Sequence, residues 1–90
     1  MTEYSRLFEN KSKAKYKIDN YVRLIELENP DIFYLAKVVD VNEELEMPKY
    51  FVETFEKKSS KIVNIWLYED EILKKTNSKE KSIFIKKRGE

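Results

Sequence analysis

Three stretches decide the fold: IFYLAKVVDVN (32–42), KYFVETF (49–55) and KIVNIWL (61–67). Each is rich in β-branched and aromatic residues with apolar positions alternating near a period of two, the pattern of a half-buried strand. Between them lie turn-forming segments. Glu43, Glu44, Glu46 and Pro48 mark a polar connection, and Lys57-Lys58-Ser59-Ser60 reads as a loop. Upstream, YKIDNYVRLIEL (16–27) also alternates and reads as a strand, and Asn29-Pro30-Asp31 separates it from the next as a turn.

Downstream, EDEILKK (69–75) fits a single helical turn, with acids first and lysines last, the order that complements the helix dipole. Within residues 1–14 a helix is expected around Tyr4–Phe8, and SIFIKK (82–87) reads either as a last strand or as a docking segment. The expected organisation is an extension over 1–14, a barrel over 15–75 and a basic extension over 76–90. The fold class is mainly β, a small SH3- or Tudor-like barrel of four to five strands with a short helical turn near the C-terminus. Val22, Leu24, Ala36, Val38, Val52 and Trp66 are placed in its core.

Composition narrows the function. Ninety residues make one domain, and 41% apolar with 13% aromatic residues is enough for a core. The chain has no Cys and no His, so it has neither a disulfide framework nor an ordinary zinc site, and no imidazole base for a nucleophile. Its single glycine, Gly89, leaves no means of building a glycine-rich phosphate loop. The carboxylate pairs Glu43/Glu44 and Glu69/Glu71 fall in a turn or a helix start, where acids are solvated. A non-catalytic binding module, with no cofactor and no metal, is the expectation. No run approaches a membrane span, and residues 1–18 are charged where a signal peptide is apolar, which reads as an intracellular chain with no membrane partner.

The formal net charge of +1 is unevenly spread. Residues 1–25 hold six basic and three acidic side chains, residues 26–72 five and twelve, residues 73–90 seven and two. A basic ridge of Lys11, Lys13, Lys15 and Lys17 (aligned if extended), with Lys74, Lys75, Lys86, Lys87 and Arg88, suits DNA or RNA phosphates. The acidic middle suits a cationic peptide.

The order YLAKVVDV (34–41), PKYFVETF (48–55), WLYEDEILK (66–74) resembles the chromo barrel, or Tudor-knot, of the MRG/MSL family of chromatin proteins. The N-terminal barrel of MYST histone acetyltransferases has a similar pattern. The likeness covers about residues 16–75. It implies a nuclear reader of histone tails within a histone-modifying complex, holding methyl-lysine in an aromatic cage. Tyr34 and Phe55 match cage positions of that family, and Trp66 matches its tryptophan ahead of an acidic residue. Tyr68 is a ring able to complete a partial cage. Two further tryptophans of the family have no counterpart in EKKSSKIVN (56–64), and its third-strand histidine is replaced, so the implied cage is incomplete. An SH3-like protein-interaction module of a microbial or viral protein, cytoplasmic in that case, is the remaining reading.

Overall fold

A computed structural model describes residues 14–44 and 46–89. The expected helix at 4–8, Lys11 and Lys13 lie outside the described residues. The rest is mainly β: strands β1 (Tyr21–Leu24), β2 (Leu35–Asn42), β3 (Lys49–Phe55), β4 (Ile62–Tyr68) and β5 (Ile72–Lys75), then helix α1 (Ser78–Arg88). The strands form one antiparallel sheet in the order β4-β3-β2-β1-β5. No helix among the described residues is long and apolar enough to cross a membrane.

Alternation sorts the side chains onto two faces. The inner face carries Val22, Leu24, Ala36, Val38, Tyr50, Val52, Leu67 and Ile72, all buried, with Tyr16 closing against them. A bulge at Val39 keeps this face apolar: Val38 pairs with Val52, then Asp40 pairs with Phe51, so the extra residue turns Asp40 outward and Val41 inward. Leu35 and Phe55 point to the outer face, where Phe84 of α1 seals them into a second, smaller cluster.

Five of the expected core residues are buried, but Trp66 is 44% exposed. In β4 the inward phase belongs to Ile65 and Leu67, which sends Trp66 out between them.

Three expected elements are corrected. The first strand begins at Tyr21, not Tyr16, because Asp19 takes φ 76 and the Lys17 and Asn20 backbone groups close a turn. It also ends at Leu24, leaving Leu27 91% exposed. The expected helical turn over 69–75 is helical only as a 3-10 turn, Glu69–Glu71. Ile72 is buried against Leu24, so Ile72–Lys75 completes the sheet as β5.

SIFIKK is not a strand; it lies within α1 and docks on the sheet through Phe84. Asn77 accepts from the Glu80 N–H at 2.8 Å while Glu80 accepts from the Asn77 N–H at 3.1 Å, a reciprocal cap. Gly89, in the left-handed region at φ 90, ends the helix. The single glycine thus has a structural use.

Candidate functional site

The outer face divides into a covered half and an open half. Along β3 the outward residues are Lys49, Phe51, Glu53 and Phe55, paired across the strands with Tyr68, Trp66, Asn64 and Ile62 of β4. Helix α1 covers the Phe55 end: Phe84 packs on Phe55 at 5.3 Å, and Arg88 forms an ion pair with Glu53. The Lys49 end stays open. There Phe51 and Trp66 stack with centroids 4.9 Å apart, and the Lys49 ammonium sits 4.7 Å over the Tyr68 ring. Trp66 and Tyr68 are close to half exposed, and among the described residues β4 is an outer strand of the sheet, paired with β3 alone.

Acidic residues collect at the Lys49 end of the sheet. Asn42, Lys49 and Tyr68 pair side by side, so the β2–β3 connection with Glu43, Glu44 and Glu46 emerges beside the start of the 3-10 turn with Glu69 and Asp70. The turn is pinned from below. The Tyr50 hydroxyl, fully buried, donates to Glu69 Oε2 at 2.6 Å and accepts from the Lys15 N–H at 3.0 Å. Burial first, and the bond to Glu69 second, push the Tyr50 hydroxyl well above the ordinary tyrosine range. Burial and the Glu69 charge raise Tyr16 likewise. Glu71 closes the turn by accepting from the Tyr68 N–H at 2.9 Å, which fixes the backbone carrying that ring.

The four rings read from the sequence do not enclose one point. Tyr34 lies against Phe33 at 4.7 Å with the Arg23 guanidinium 5.3 Å from its ring centre. Phe55 is 2% exposed, held between Phe33 and Phe84. Trp66 and Tyr68 belong to the open half, opposite Phe51 and Lys49. Phe51 and Phe55 are four residues apart, about 13 Å along a strand. A single cage of these rings is therefore replaced by a covered cluster and an open strip.

The basic residues are also divided. Lys15 and Lys17 are exposed, but they occupy bends and turns rather than an extended ridge. Together Ala14, Tyr16, Lys17, Ile18, Val41 and Glu43 line an open hollow of about 360 Å³. Lys74 and Lys75 are exposed on β5. In the last turn of α1, Lys86 faces solvent, Lys87 lies 5.1 Å from the Phe33 ring centre and 5.5 Å from that of Phe55, and Arg88 is taken by Glu53.

Phe51 and Lys49 escaped the sequence reading. The usable signal was their phase: both share parity with Phe55 in KYFVETF, so one outward ring in that strand implies the others. Comparison with protein-family models, with curated proteins and with solved structures finds no match for this chain.

Proposed function

We propose that this chain is a non-catalytic peptide-binding module whose open strip, Phe51, Trp66 and Tyr68, receives a lysine-rich segment. The observation that carries the reading is the ammonium of Lys49 already seated on the Tyr68 face. Exposed rings of this kind attract a cation by about 0.5–1 kcal/mol each, and Glu43, Glu44, Glu46 and Asp70 raise the local concentration of a cationic chain. The resemblance to chromo barrels makes a histone tail the peptide and a chromatin-modifying complex in the nucleus the setting. An open strip surrounds a methylammonium on fewer sides than a cage, so methylated and unmethylated peptides are expected to bind within about tenfold of each other.

The test is calorimetric titration of the full chain with a lysine-rich histone-type peptide, native against Trp66→Ala. A loss of binding of about two- to fivefold in the folded variant is expected, the worth of one exposed ring. Equal affinity in both proteins refutes the strip. Titration with DNA or RNA at low and physiological salt tests the polyanion alternative, which predicts binding that Trp66→Ala leaves intact and salt abolishes.

A further inference from the structure

The covered half of the outer face is itself a helix-binding groove, and its present occupant defines what fits. Helix α1 touches the sheet chiefly through residues at i, i+4 and i+8, flanked by the Lys81 ammonium 5.0 Å from the Tyr21 ring centre and the Lys87 ammonium over Phe33 and Phe55. Glu80 pairs with Arg23 at 3.0 Å, Phe84 fills the space between Tyr21, Leu35 and Phe55, and Arg88 pairs with Glu53. Glu80 and Phe84 are its buried residues; Lys79, Lys81, Ser82, Lys86 and Lys87 are exposed. A helix of 11 residues is marginal alone in water, so this one is held by its three-point face. The floor is complementary at each of these three points: a cation on β1, an aromatic and aliphatic hollow on β1, β2 and β3, and an anion on β3.

We infer that this groove accepts a partner helix carrying an acidic residue, an aromatic four positions on and a basic residue four further on. Helix α1 is then an internal competitor that must leave before the partner enters. Only Thr76 and Asn77 separate it from β5, so its effective concentration at the groove is high and the resting site is closed. The site does not involve Trp66 or Tyr68 and stands apart from the lysine-peptide strip.

The probe is a labelled peptide of residues 76–89, TNSKEKSIFIKKRG, titrated into the full chain. Native protein, with its groove filled, is expected to bind it weakly. Phe84→Ala in the chain removes the internal anchor, and Glu80→Arg places like charge against Arg23, so each frees the groove. Each is expected to bind the native peptide at least tenfold more tightly, and a peptide with Phe84→Ala is expected not to bind. An Arg23→Glu chain should in turn prefer a Glu80→Arg peptide over the native one, which fixes the orientation. If a folded opened chain binds the native peptide no better than native protein does, the inference is overturned. Should Phe84→Ala fail to fold, the Glu80→Arg result decides alone.

Discussion

Replacing Phe84 by alanine separates the docking of α1 from the stability of the barrel. The ring is fully buried, with Phe55 at 5.3 Å, Tyr21 at 5.6 Å and Leu35 beside it. Removing such a ring from a packed core costs about 3–5 kcal/mol. Here the smaller cluster is separate from the barrel core, so the loss is limited to what docking contributes, and about 3 kcal/mol is expected. For a domain of this size that lowers the melting temperature by roughly 12–24 °C. The ion pairs of Glu80 and Arg88 are partly open to solvent and screened by salt, and they are not expected to hold the helix without the ring. Two probes distinguish the outcomes. Far-ultraviolet circular dichroism follows α1, whereas the fluorescence of Trp66, on the other half of the face, follows the barrel. The native-state helical signal should fall while the Trp66 transition stays cooperative at a lower denaturant midpoint. A loss below about 1 kcal/mol with the helical signal intact would show that the ion pairs dock the helix, and the reasoning from Phe84 burial fails.

Tyr50→Phe removes a buried hydroxyl that both donates and accepts, and about 1–3 kcal/mol should be lost in urea unfolding. Because the folded Tyr50 pKa lies above the unfolded one, its stabilisation is complete below about pH 10 and lost as pH rises beyond it; urea melts from pH 8 to 11 should fall more steeply for native protein than for Tyr50→Phe. Glu80 is held below the ordinary glutamate range, first by the Asn77 N–H and then by Arg23. Its contribution is therefore present above about pH 4.3 and disappears as pH drops through the lower folded value, and Glu80→Gln should flatten acid melts of the helical signal. Gly89→Ala adds a Cβ that meets nothing within 4 Å, so its cost is backbone strain alone, about 1 kcal/mol in thermal unfolding.

Strand β3 was legible to the residue because KYFVETF alternates cleanly between Pro48 and a lysine-serine loop. Trp66 was misplaced for a reason internal to strands: a period of two has two phases, and in KIVNIWL both carry apolar residues. The bulge at Val39 was hidden in the same way, since VVDV supplies an apolar residue for either register. Helix α1 was missed because Ile83, Phe84 and Ile85 are consecutive, which supports neither helical nor strand periodicity. Its ends were nevertheless written in Asn77, Glu80 and Gly89. The division of the aromatic residues was not legible. It depends on where α1 lands, and that depends on Phe84 meeting Tyr21, Leu35 and Phe55, all far from it in sequence.

Charge shows how the fold reassigns what the chain orders linearly. Glu43, Glu44 and Glu46 share the acidic middle block with Lys57, Lys58 and Lys61, yet β3 carries the two groups to opposite ends. Lys49 to Phe55 is six residue steps, about 20 Å, more than two Debye lengths at physiological salt. A partner at one end therefore responds little to the other, and the net charge of +1 describes neither. At the Lys49 end the acids stand beside exposed rings, so attraction and contact coincide. At the Phe55 end the rings are already covered by α1, so a charged partner finds no aromatic surface unless the helix leaves. The two halves of one sheet face thus differ in ligand chemistry because one of them already has an occupant.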